Sequence, residues 1–506
     1  MNKPNIIKWS FWPILVAVIL IGYTYISAEA VNKHLDFIPS NAKAVVFLDS
    51  KYLANDFYEL LKFNPTKIDE VLSSGEEEGI DELSTELPGI VPLGKMAFYL
   101  YQDTETKDQQ FFRCFIATLS DKAQFLKKMN GMREKATVKD IEGGQVHFFK
   151  EDNKLVLIKD DIGLVIEPLN PAFKLNMANG EKHYMSVFSK GAISLLDESS
   201  SFSETCKQKN HVNIWSPNGE GLLKGFGGEM IGINKMFNSQ AISVNLKDEN
   251  IETKVHLYLN QKDLIIEKSN EVIPLNEQEL FRLSMSLNPE KFKDYFRTLL
   301  PSDKYFLADG WTGQVCTSVI GFRNEPVYKI QADTIIDKIK RDTLIKIDTV
   351  ELSRLVNLPH FVLAIELEDA KTVVELLKID STIPAKDGYF FSKIPNLINE
   401  NIYIKITGNN LLLSSTPLGF KYEPVYSTFA FNMDIEGLIS NYPPKDMLQA
   451  LLIPTINKFD FKSFEMYYDT MNDDFICLNG KLKLGKEDIH SLLKVVPFAF
   501  NVASDF

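Results

Sequence analysis

Histidines, cysteines and carboxylates are the groups from which a metal site or an acid–base pair is built, and their spacing here builds neither. His34, His147, His183, His211, His256, His360 and His490 are scattered, with no H-x-H and no H-E-x-x-H. Zinc needs ligands at such fixed spacings, so no metal ligand is assigned. Among the four cysteines there is no Cys-x-x-Cys, which removes thioredoxin-like and zinc-ribbon chemistry. Cys114, Cys316 and Cys477 lie in apolar, strand-like runs and read as buried thiols. The disulfide status of these and of Cys206 cannot be read from spacing. A nucleophile elbow, G-x-S-x-G, is absent, and Ser189-Lys190 has the wrong spacing for S-x-x-K.

Two segments imitate binding loops. Glu76-Glu77-Glu78 with Asp81, Glu82 and Glu86 is the densest carboxylate cluster. It lacks the D-x-[DN]-x-[DN]-G order that wraps calcium, so it reads as a solvated acidic loop. Gly219–Gly232 holds six glycines but satisfies neither G-x-G-x-x-G nor G-x-x-x-x-G-K-[ST]. It reads as a loop, not a phosphate cradle. No catalytic residue, cofactor-binding residue or cofactor is therefore expected.

Composition narrows the partners. The formal net charge is −13, and no basic run is longer than Lys127-Lys128 or Lys340-Arg341. Phosphate backbones demand clustered Lys and Arg, so nucleic acid is not an expected partner. Apolar residues make up 45% and charged residues 24%, as in a globular chain that buries a core. A length of 506 residues leaves room for several domains.

At the N-terminus, Trp9 to Ala28 carries no charge and follows Lys3 and Lys8. A stretch of about 20 residues matches a spanning helix, and the preceding lysines place the N-terminus in the cytoplasm. The expectation is a single-pass anchor in the cytoplasmic (inner) membrane, with the bulk of the chain on the extracytoplasmic, periplasmic side. A cleaved signal peptide is the rival reading, because Ala28-Glu29-Ala30 fits the small-x-small cleavage pattern. Both readings export the remainder.

The elements behind these residues come in a repeated order. Ile38-Pro39-Ser40-Asn41-Ala42 leads into the apolar run Val45–Leu48, and Ile273-Pro274-Leu275-Asn276 opens the same sequence of events. Hairpins such as Lys154–Lys159 with Leu164–Ile166 recur as Asn401–Ile406 with Leu411–Leu413. Helices are expected after Asp121 and Asp369, each an N-cap ahead of an apolar-periodic run. The expected organisation is residues 1–30 as signal anchor or cleaved signal, 31–262 as a first repeat half and 263–506 as a second. The expected fold class is α+β: two homologous halves of mainly antiparallel sheet with helices packed on one face, preceded by one N-terminal transmembrane helix. Lys329–Leu352 breaks the symmetry, repeating Asp333-Thr334-Ile335, Asp342-Thr343-Leu344 and Asp348-Thr349-Val350. It reads as an inserted strand or hairpin whose exposed edge recruits a partner strand.

The segment Pro39-Ser40-Asn41-Ala42-Lys43-Ala44-Val45, with its copy from Ile273, resembles an uncharacterised bacterial envelope family of exported, membrane- or lipid-anchored proteins. Its members have duplicated α+β repeats opening on P-x-x-A-x-x-V/L; the second copy departs from this with Glu277 and Gln278. The resemblance implies location and architecture and carries over no catalytic residue. Three functions follow as expectations. The first is a non-enzymatic envelope protein, held at the membrane and binding a protein partner as a scaffold. The second is a periplasmic carrier or chaperone for a lipid or other amphiphile, with the abundant Phe lining an apolar groove. The third is a hydrolase of envelope polymers with two carboxylates facing each other in a cleft.

Overall fold

The computed structural model describes residues 32–53, 56, 89–91, 94–103, 110–129, 136–141, 143–217, 237–247, 250–260, 263–268, 274–299, 305–337, 342–371, 383–384, 390–393, 401–418, 421–441, 461–472 and 474–485. They fall into two compact units. One gathers the described residues up to the end of Asn260 together with those of Thr470–Asn479; the other gathers those from Asp263 to Asp469 and Gly480–Gly485.

The first unit is built on β1 (Ala42–Asp49), β2 (Lys95–Asp103), β3 (Gln110–Thr118), β4 (Thr137–Ile141), β5 (Gly144–Phe149), β6 (Lys154–Lys159), β7 (Ile162–Pro168), β8 (Val212–Pro217), β9 (Phe237–Leu246) and β10 (Asn250–Leu259). Every ladder is antiparallel, in the order β4-β5-β6-β7-β3-β2-β1-β8-β9-β10. Its helices are α1 (Lys122–Met129), α2 (Met177–Phe188), α3 (Leu195–Glu198) and α4 (Ser200–Lys207).

The second unit contains β11 (Phe281–Ser286), β12 (Trp311–Asp337), β13 (Asp342–Leu367), β14 (Ile383–Pro384), β15 (Phe390–Lys393), β16 (Asn401–Thr407), β17 (Asn410–Ser414), β18 (Phe429–Asp434) and β19 (Phe461–Met471). Its ladders run β14-β15-β16-β17-β13-β12-β11-β18-β19, again antiparallel throughout. These nine strands repeat the order of the first nine positions, β4 to β9, of the first unit. The helices α5 (Pro289–Leu299), α6 (Tyr305–Asp309) and α7 (Ile435–Asn441) are short, and β20 (Phe475–Leu484) follows β19.

The expected α+β class is corrected by this architecture. Antiparallel sheet dominates both units, and in the first unit the described helices lie on both faces of it. In the first unit Leu155, Leu157, Leu164 and Ile166 join one core cluster with Tyr184 and Phe188 of α2, Leu195 of α3 and Phe202 of α4. Val156, Ile158 and Val165 join a second cluster with Phe125 of α1. Alternate residues of β6 and β7 thus feed opposite sides of the sheet, and both sides are covered. The continuous apolar runs Leu155–Ile158 and Ile162–Ile166 are what a strand buried on both faces requires. No helix among the described residues is long and apolar enough to cross a membrane. The expected transmembrane helix falls in residues 1–31, outside the described residues, as do Glu76–Glu86, Gly219–Gly232 and His490.

Candidate interaction ribbon and its root

In the first unit, β2 and β3 are 9 residues each. Their counterparts in the second unit, β12 and β13, run for 27 and 26 residues. β11 pairs β12 only from Ser286↔Gln314 to Phe281↔Val319, and β17 pairs β13 only from Glu366↔Asn410 to Val362↔Ser414. Beyond those points the β12–β13 ladder continues to Asp337↔Asp342. Among the described residues no third strand pairs with it. A two-stranded ribbon therefore extends past the neighbouring strands, with neither outer edge paired by a described residue. From Arg323 to Asp337 it extends for about 50 Å at the rise of an extended strand. Register shifts at Val319/Gly321 and Pro326/Val327 mark bulges, the places where a proline without an N–H is tolerated in a strand.

The Lys329–Leu352 insert lies along this ribbon. Lys329 pairs with Val350 and Val327 with Leu352. Successive residues of a strand belong to opposite faces, and directly opposed residues share one. Ile330/Thr349, Ala332/Ile347, Thr334/Ile345 and Ile336/Thr343 consequently share a face, and that face carries no charge at these four levels. Lys329/Val350, Gln331/Asp348, Asp333/Lys346, Ile335/Leu344 and Asp337/Asp342 form the other. The repeated Asp-Thr dipeptide puts each Asp on one face and each Thr on its opposite.

The root of the ribbon is fixed by a buried polar network. The Glu279 carboxylate accepts from Arg282 Nε at 3.0 Å, from Asn276 N at 3.0 Å and from Ser318 Oγ at 2.7 Å, and also pairs with Arg282 Nη2. Glu279 and Arg282 are both buried. Tyr422 Oη lies 2.8 Å from Ser318 Oγ and 3.4 Å from Cys316 Sγ. A carboxylate only accepts, so the single Ser318 proton is committed to Glu279 and Tyr422 must donate to Ser318. Cys316 then donates to Tyr422. Burial pushes the acidities of Tyr422 and Cys316 up, which keeps both protonated in this chain. The arrangement orients donors; it leaves no free thiolate or alkoxide for nucleophilic chemistry.

Gly313 completes the root. Its φ is +94°, and a Cβ there would lie 2.0 Å from the Leu287 carbonyl oxygen. Trp311 Nε1 closes the same bend by donating to Gln314 O at 3.0 Å.

A second feature of the same unit is an open apolar cleft of about 400 Å3 lined by Met433, Ile435, Leu438, Ile439, Phe461, Phe464 and Leu482. The lining holds no polar group of the kind that fixes the orientation of a ligand headgroup.

The described histidines and cysteines do not converge on a metal site. Among the described residues no group of three or more His, Cys, Asp or Glu side chains is placed to hold a metal ion. His34 Nδ1 meets Thr118 Oγ1 at 2.9 Å, and burial drives His34 down to about 4. His183 is set edge-on against Tyr101 and Phe112, with ring centroids 5.4 and 4.9 Å away, and is likewise lowered to about 4 by burial. All four cysteines are thiols outside any disulfide, with Cys114, Cys316 and Cys477 buried. Lys95, which sequence reasoning passed over, is buried and donates to Gln208 O at 2.7 Å and to Cys206 O. Burial lowers its pKa, with Asp49 opposing the shift. A lysine inside a strand carries no signal that would have found it.

No protein-family model and no curated protein matches the chain. Among solved structures, crystal form III of TP0453 is 11% identical at a TM-score of 0.26, covering 46% of this chain and 83% of that one. Crystal form I of TP0453 is 13% identical at 0.27, covering 46% and 82%, and form IV is 10% identical at 0.26, covering 45% and 81%. At TM-scores this low the likeness implies neither a common fold nor a common function.

Proposed function

We propose that this chain is a non-enzymatic envelope protein that acts as an interaction or scaffold module, with the β12–β13 ribbon as its docking element. The observation that carries this reading is a long ribbon in the second unit, neither edge of which is paired by a described residue, where the equivalent hairpin of the first unit is short. Unpaired strand edges recruit protein partners by strand addition. The uncharged run Trp9–Ala28 behind Lys3 and Lys8, and the resemblance to bacterial envelope proteins, support a place at the cytoplasmic membrane with the bulk of the chain outside. The test replaces Val327–Leu352 by a short turn and compares the proteins that co-purify with full-length and shortened chains. Loss of a specific partner is expected, and an unchanged set of partners would sink the proposal.

A second reading, an amphiphile carrier, is favoured by the apolar cleft beside α7. Its test is native mass spectrometry of chain extracted from its own membranes. A lipid-sized added mass that disappears in Leu438→Asp would promote it over the scaffold.

A further inference from the structure

Asn32 is already built into the first unit. Its side-chain oxygen, Oδ1, accepts the backbone N–H of Lys95 at 2.8 Å, where β2 begins. His34 is buried and meets Thr118 Oγ1 at the end of β3. Leu35 and Ile38 belong to the core cluster that also holds Tyr184 and Phe202. Leu195 N then donates to Ile38 O at 2.8 Å, and Ser40 N to Ile193 O at 3.1 Å. A segment held at so many points cannot be drawn out without exposing apolar surface that the fold has buried.

The uncharged run Trp9–Ala28 ends just before it. As a helix that run is about 30 Å long, the thickness of the hydrocarbon of a bilayer. Only Glu29, Ala30 and Val31 separate Ala28 from Asn32. Whatever their conformation, the four Cα-to-Cα steps reach at most about 14 Å. The headgroup layer outside the hydrocarbon takes up about 5–8 Å of that distance. A unit pinned at Asn32 has no room to stand clear of the lipid.

The strand registers define which end of the unit this is. Asp49↔Lys95 and Thr118↔Ile162 lie at the near end, and Asp103↔Gln110 and Phe112↔Pro168 at the far end. β7 runs from one to the other, about 20 Å at the rise of an extended strand. At the near end Lys33 Nζ pairs with Asp161 at 3.1 Å, with the lysine side chain 65% exposed. An ammonium on a flexible stem at the headgroup layer is drawn to lipid phosphate.

We infer that the end of the first unit carrying Asn32, Lys33 and Asp161 rests end-on against the lipid headgroups, held there by its short tether. The inference depends on the proposed reading of Trp9–Ala28 as an uncleaved membrane anchor. It adds the surface that meets the lipid and the phosphate group that Lys33 faces.

The test uses the full-length chain in phosphatidylcholine vesicles that carry a nitroxide quencher on the headgroup. Lys33→Cys at the near end and Leu169→Cys at the exposed far end each receive a maleimide fluorophore. Labelled wild type supplies the background from native thiols. The Lys33→Cys probe is expected to lose most of its fluorescence and the Leu169→Cys probe little. A ten-residue Gly/Ser linker inserted between Ala30 and Val31, which adds about 17 Å of average reach, should restore the Lys33→Cys signal. A Lys33→Cys probe that stays bright while the chain stays on the vesicles overturns the inference and leaves the anchor standing. Equal quenching at the two positions, or quenching that the linker does not relieve, overturns it as well. A chain that leaves the vesicles on flotation, with a mass that begins after Ala30, removes the anchor reading, and the inference falls with it.

Discussion

Ser318 Oγ donates to the buried carboxylate of Glu279 at 2.7 Å, joining the root of β12 to the loop that precedes β11. Through Tyr422, which must donate to the same hydroxyl, the loop before β18 is tied to the same point. Three segments distant in sequence meet on one oxygen. Those ties make the start of the ribbon a fixed platform.

Removing the carboxylate should damage that platform severely. Glu279→Ala leaves Arg282 buried without its partner, a loss of about 3–5 kcal/mol. Tyr422→Phe deletes only hydrogen bonds and should cost about 1–2 kcal/mol. Urea unfolding of the two variants should reproduce that order; equal midpoints would show that the network does not hold the root.

Gly313→Ala should destabilise the same region by at least about 1–2 kcal/mol, the cost of a left-handed conformation for a residue with a Cβ. The clash with the Leu287 carbonyl adds to this. Hydrogen exchange should show faster exchange at the β11–β12 ladder in the variant. Unchanged protection there would mean the backbone can shift at no cost.

Acid should weaken the first unit through His34 and His183. Their folded pKa values lie near 4, below the ordinary 6.5, so the unfolded chain binds protons first. Their neutral-state stability is intact above pH 6.5 and declines as the pH falls from 6.5 toward 4. The slope is of order 1.4 kcal/mol per pH unit for each histidine. His183→Phe, which extends an existing aromatic cluster, should flatten the decline over that window. A slope identical to wild type would locate the acid sensitivity elsewhere.

The thiols should be inert in the folded chain. Burial pushes Cys114 and Cys316 up and Cys206 to about 12, so little thiolate exists near neutral pH. Maleimide labelling followed by mass measurement should add four labels after unfolding and almost none before. Rapid native labelling at Cys206, the one only partly buried, would contradict the assigned environment.

Local periodicity made several strands readable. Lys154–Lys159 is read from its flanking turn and is β6 in the structure, and the Lys329–Leu352 insert does run as a hairpin. The α+β reading failed for a related reason. Leu155–Ile158 has no alternation, and that signals a strand covered on both sides; the clusters around Tyr184 and around Phe125 supply the two coverings.

The sequence by itself determined which residues of the ribbon share a face, because a strand alternates every second residue whatever it pairs with. The Asp-Thr dipeptides therefore separate charge from Thr without help from the rest of the chain. Only the tertiary structure decided which residues oppose each other across the ribbon, and which distant groups meet at its root. Register depends on pairing between strands, and the contact of Glu279 with Ser318 and of Ser318 with Tyr422 depends on sheet order. Those are relations between distant positions, and no local pattern of residues encodes them.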